Sequence, residues 1–239
     1  MDRILLPLLG PGDQVVTGFA LEAARAFHLE LATVLLLEAG NAEVARPGRS
    51  VAGAAVASST VTVVAPFGPA IEALAQQQDA VMLSASGRAG GRWVGHNVFE
   101  HLTRHSPVPV WVVPDSARCP VRLTVAYDGH PRALEAAKLA AALSRQWQLP
   151  LGVLVISEGR EVDERDVRYA LEELYVRSVH ESGVFYEQGP PAALLPRHAE
   201  PDGLLVMGSH GHSAPLGLAI GNTVDQVLGT ARGSVLLCP

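Results

Sequence analysis

The run Gly208-Ser209-His210-Gly211, nine further residues and then Gly221-Asn222-Thr223 is the part of this sequence whose spacing suits a chemical task. Glycines let a backbone turn sharply and approach an anion with no Cβ in the way. The N–H groups and positive dipole end of a helix opening at Gly221 would face that anion, which is the chemistry of phosphate binding. The apolar run Leu204 to Met207 precedes the first glycine, so the loop should leave a buried strand at its carboxyl end. On open α/β sheets, ligands bind beyond the carboxyl ends of the strands, where strand order reverses. Asp128 follows a second strand, Leu123 to Tyr127, and would offer an adenine or a ribose a carboxylate at the same edge.

Other reactive side chains make weaker patterns. His210 and His212 alternate on a loop with no third Cys, Asp or Glu nearby, which falls short of a zinc site, so no protein-held metal is expected. Ser209 is not in a G-x-S-x-G elbow and spacing assigns it no acid partner, so no catalytic residue is expected. Cys119 and Cys238 have no metal spacing and form no disulfide framework; they read as isolated thiols in a reducing compartment.

These residues need a scaffold, and the chain supplies one twice. Residues 4–38 parallel residues 123–158, each reading as strand, turn, helix, strand. Val16, Ala20, Ala23 and Phe27 recur at steps of three and four, as do Ala133, Ala136, Ala140, Leu143 and Trp147, so each helix has one stripe to bury. The runs Thr33 to Leu37 and Val153 to Ile156 are continuously apolar, as suits strands of a parallel sheet covered on both faces. The ends of the halves also match, residues 79–87 with 203–211 and 107–114 with 232–239. The expected fold is α/β: two tandem doubly wound, Rossmann-like domains, each with a mostly parallel sheet of about five strands. Asp115 to Pro120 reads as the linker.

Between the shared ends the halves differ. Arg165 to Ser182 reads as a strong helix with Val167, Ala170, Leu171 and Leu174 on one side, followed by a strand over 183–187 and a helix from about Pro190 and Pro191. Residues 39–60 are rich in Ala, Gly and Ser without an amphipathic period, and are expected to be a shortened or poorly ordered equivalent.

Composition narrows the function classes. The 239 residues are 48% hydrophobic and 18% charged, the balance of a folded globular protein. Net charge is −6, with 8 basic against 10 acidic residues up to Arg118 and 10 against 14 beyond, so neither half favours nucleic acid. No apolar stretch approaches the roughly 18 residues that span a bilayer, and the start lacks a signal-peptide pattern, so the expected location is the cytoplasm.

Two glycines separated by two residues, nine more residues, then glycine and a small polar residue, with an aspartate after the first strand: this pattern resembles the nucleotide-binding signature of universal stress proteins. The resemblance covers essentially the whole chain as two family domains in tandem, 1–116 and 120–239. It implies an ATP-binding or related adenine-nucleotide-binding stress-response regulator with little or no turnover, with Mg2+ carried on the phosphates and an unidentified protein partner. By the same resemblance Asp128 and the backbone at Ile156 contact the base, Met207 and Gly208 lie along base and ribose, and Gly211, Gly221, Asn222 and Thr223 hold the phosphates. Ala126, in the same set, stands where the family often has proline, and Asn222 where it usually has Ser or Thr. Tandem members commonly pack their halves as an intramolecular pseudo-dimer, with further dimerisation open.

The first half departs from the pattern. Leu9 stands in the place of Asp128 and Ser84 in that of Gly208, and only seven residues, Arg88 to Val94, separate Gly87 from Gly95, which His96 and Asn97 follow. An apolar residue cannot read a base edge, so this site is expected to be degenerate, with Arg88 and Arg92 as solvated loop charge. The alternatives to a binding regulator are an interaction scaffold that holds no nucleotide and a slow ATPase or adenylyl-transferring enzyme using the same loop, Ser209-His210-Gly211-His212 faintly resembling an HxGH motif.

Overall fold

A computed structural model describes residues 1–8, 13–37, 58–64, 67–85, 94–129, 131–157, 183–209 and 222–239. The chain divides into two compact units, Met1–Asp115 and Ser116–Pro239. Each is an α/β layer structure in which helices alternate with the strands of a parallel sheet. Among the described residues no helix is long and apolar enough to cross a membrane.

The strands of the first unit are β1 (Arg3–Leu8), β2 (Glu30–Leu37), β3 (Ser58–Val64), β4 (Ala80–Ser84) and β5 (Val110–Val113), with helices Gln14–Phe27, Phe67–Ala75 and Val94–His105. They lie in the order β3-β2-β1-β4-β5. Val16, Ala20, Ala23 and Phe27 are all buried, so the stripe read from the sequence is the face that covers the sheet. Phe19 stands edge-on to Trp111 of β5, ring centroids 5.5 Å apart, and fixes that helix on the sheet. β3 begins inside the stretch expected to be shortened; residues 39–57 lie outside the described residues.

The second unit repeats the plan. Its strands are β6 (Arg122–Tyr127), β7 (Leu151–Ser157), β8 (Val184–Gln188), β9 (Gly203–Gly208) and β10 (Ser234–Cys238), with helices Pro131–Trp147, Pro191–His198 and Asn222–Thr230. The order is β10-β9-β6-β7-β8, and the pairs within it are parallel. Ala133, Ala136, Ala140, Leu143 and Trp147 are buried, as their spacing requires. Pro131 and Pro191 open their helices, where a missing N–H costs nothing. The expected helix over 165–182 lies outside the described residues.

The amino edge of the second unit is tied by short-range contacts. Ser116 Oγ donates to the Arg232 carbonyl at 2.8 Å, Arg118 N–H to Pro201 at 2.7 Å and Val121 N–H to Asp202 at 2.9 Å. Arg122 pairs with Glu200 and, at 2.8 Å, with Asp202. Segment 116–121 is thus bound to the turns that precede β9 and β10.

Candidate functional site

In the second unit the chain moves outward from β6 through β7 to β8, then returns to the other side of β6 for β9 and β10. Strand order therefore reverses between β6 and β9. Loops leaving neighbouring strands part there and open a crevice at the carboxyl edge.

Register decides which residues reach it. β6 and β9 pair from Arg122 with Gly203 to Val125 with Val206, so Ala126 and Met207 each come next along their strands, and Gly208 ends β9. β6 and β7 pair up to Tyr127 with Val155; Asp128 and Ile156 are the next residue of each chain segment. Asp128 and Gly129 are exposed beyond β6, Gly129 with φ +81, a left-handed turn that glycine takes without strain. Met207 and Ile156 are buried and Ala126 is half-buried. Four of the residues singled out in the sequence, Ala126, Ile156, Met207 and Gly208, thus lie toward the carboxyl ends of three neighbouring strands, with Asp128 directly beyond β6.

The phosphate half of the pattern is described in part. Asn222 opens the helix Asn222–Thr230 and Thr223, half-buried, is in its first turn; Gly211 and Gly221, with His210 and His212, lie outside the described residues. This helix links two parallel strands, so it runs back against them and its N-terminus belongs to the carboxyl edge. Val224, Val227 and Leu228 are its buried face.

Gly208 has a neighbour the sequence did not reveal. A Cβ there would lie 3.4 Å from the Arg132 Cβ and 3.8 Å from the Ala133 nitrogen, ordinary van der Waals contact, so the end of β9 sits against the first turn of the helix Pro131–Trp147. Arg132 was also missed. The available signal was its place four residues beyond Asp128.

Burial shapes the electrostatics of this edge. The Tyr127 hydroxyl is pushed above its ordinary 10.0, first by burial and then by the Asp128 charge. The Cys238 thiol is pushed up to about 12, again by burial first and then by Glu135. Ser209 is buried and its N–H donates to the Cys238 carbonyl at 2.7 Å, so its backbone closes the β9–β10 step. Neither Cys119 nor Cys238 is in a disulfide. Among the described residues no group of three or more His, Cys, Asp or Glu could hold a metal ion.

The first unit has the same reversal, between β1 and β4. Ala85 N–H donates to the Val113 carbonyl at 2.9 Å, the counterpart of the Ser209 bond. Ser84 ends β4, while Leu9, Gly87, Arg88 and Arg92 lie outside the described residues. The helix Val94–His105 starts one residue before Gly95, whereas Asn222–Thr230 starts directly after Gly221.

No protein-family model and no curated protein matches the sequence. Solved structures do. A universal stress protein from Archaeoglobus fulgidus superposes with a TM-score of 0.76 at 19% identity over 99% of this chain and 97% of its own. A functionally unknown protein of Pseudomonas aeruginosa gives 0.65 at 18% identity, over 100% and 92%. The cytoplasmic domain of a prokaryotic cation chloride cotransporter gives 0.54 at 12% identity, over 99% and 94%. The chain has the fold of a two-domain universal stress protein from end to end.

Proposed function

We propose that this chain is a tandem member of the universal stress protein family, with an adenine nucleotide, ATP first among them, bound in the crevice between β6 and β9. The observation that carries the reading is the place of Asp128 and Ile156, each next after the last β6–β7 pair, and of Ala126 and Met207, each next after the last β6–β9 pair, where strand order reverses. Asp128 and the Ile156 backbone read the base, Met207 and Gly208 line base and ribose, and Gly211, Gly221, Asn222 and Thr223 cradle the phosphates. Mg2+ comes with the phosphates.

In this reading the second unit is a sensor whose occupancy biases a partner-facing surface, with little or no turnover. The first unit, with Leu9 where the second has Asp128, binds no nucleotide. The reducing compartment that suits two cysteines outside any disulfide is the cytoplasm. The test is to denature freshly purified protein and identify what it releases by mass spectrometry. One adenine nucleotide per chain supports the reading.

A nucleotide-free interaction module is the competing reading. The edge strand β8 favours it, leaving Phe185 and Tyr186 47% and 44% exposed. Protein that releases no nucleotide and takes up none selects this alternative.

A further inference from the structure

The loop proposed to cradle the phosphates, residues 208–223, contains no lysine or arginine. A nucleoside triphosphate there would meet backbone N–H groups and a helix dipole, with Asp128 beyond β6 and Asp225 in the first turn of the helix Asn222–Thr230 as the acids on those segments. Most of the described cations of the second unit stand elsewhere. Arg118 precedes β6 and Arg122 begins it, Arg145 and Arg197 are in the last turns of their helices, and Arg232 precedes β10, all toward the amino edge. Lys138 is about two turns into its helix and paired with Glu135 at 2.6 Å.

Arg132 is the exception. It lies in the first turn of the helix Pro131–Trp147, half-buried, with its Cβ 3.4 Å from where a Gly208 Cβ would be. That places the foot of its side chain at the crevice, beside the residue that begins the glycine loop. We propose that Arg132 supplies the positive charge that holds the phosphates of the bound nucleotide. The inference rests on the nucleotide reading above and names a charge determinant within it. Guanidinium suits the task because its fork of donors matches phosphate oxygens and its charge persists at any physiological pH.

The test is to titrate ATP, AMP and adenosine against wild type, Arg132→Gln and Arg132→Lys, with a thermal melt of each variant. Arg132→Gln should weaken ATP about tenfold or more while leaving adenosine within about twofold, and Arg132→Lys should recover part of the loss. Equal weakening of ATP and adenosine would show that Arg132 only seats the helix, and unchanged ATP affinity would show that the phosphates do not use it. Either result overturns the inference and leaves nucleotide binding standing. A wild type that binds none of the three ligands removes the nucleotide reading, and this inference falls with it.

Discussion

His28 and Gln148 take the same left-handed backbone turn, φ 57 and φ 55, at matching points of the two units. Each directly follows the long helix of its unit. In each, the next residue's N–H reaches back to close the helix end, Leu29 to the Ala24 carbonyl at 3.0 Å and Leu149 to Ser144 at 3.1 Å. That is the Schellman stop, usually built on glycine, here built twice without it.

A side chain in this conformation costs about 1–2 kcal/mol, so His28→Gly should stabilise the protein by about 1 kcal/mol in urea unfolding. Gln148→Gly should gain less. The Gln148 side chain donates to the Arg145 carbonyl at 2.6 Å, and the substitution loses that bond. An equal gain at both sites would refute this account of the helix ends.

Gly233 is where the second unit tolerates no side chain. A Cβ there would lie 1.8 Å from the Glu200 carbonyl oxygen and 2.9 Å from that of Gly203, both backbone atoms, while Gly233 N–H donates to Ala199 at 2.7 Å. Gly233→Ala should cost about 3 kcal/mol, read from the shift in urea midpoint. Gly18, exposed in a helix with nothing within 4 Å, is the control: Ala there should stabilise by about 0.5–1 kcal/mol.

Asp79 ties the start of β1. Burial would raise its carboxyl, but the Asp2 and Arg3 N–H groups, at 2.6 and 3.0 Å, and then the N-terminal amine and Arg3 charges hold it below its ordinary 3.8. A lowered folded value gives stability that is present above 3.8 and lost as pH falls through the folded value. Asp79→Asn should therefore flatten the acid limb of a stability profile. Identical acid limbs in the two proteins would exclude Asp79 as its source.

Cys238 titrates in the opposite sense. Its thiol is raised from 9.0 to about 12, so its contribution to stability is complete below 9.0 and disappears as pH climbs toward 12. At pH 8 the buried Cys238 should resist iodoacetamide while the half-buried Cys119 is labelled. Peptide mapping after timed quenching checks this. Matching labelling rates would show that the β10 end is open to solvent.

Local pattern carried much of the fold into the sequence. The stripes of the helices Gln14–Phe27 and Pro131–Trp147 were legible because burial repeats at helical period, and every residue named in those two stripes is buried. β3 was not. It begins Ser58-Ser59-Thr60 after a run of small residues and has a partner on one side only; the β-branched run Thr60 to Val64 was the usable signal. The stops at His28 and Gln148 escaped because neither residue is a glycine or an asparagine. At the candidate site, spacing exposed the glycines and Asp128, but the pairing that brings the carboxyl ends of β6 and β7 side by side joins separate segments of the chain. The seat of Arg132 on Gly208 is likewise a contact between segments far apart in the chain.

Calorimetric titration of ATP into wild type and into an Asp128→Ala, Gly221→Val double variant, both shown to melt cooperatively, addresses the crevice directly. Saturable binding of one nucleotide per chain to wild type, weakened by about a hundredfold or more in the double variant, is the expected result. Equal affinity in the two proteins, or no heat in either, would contradict it.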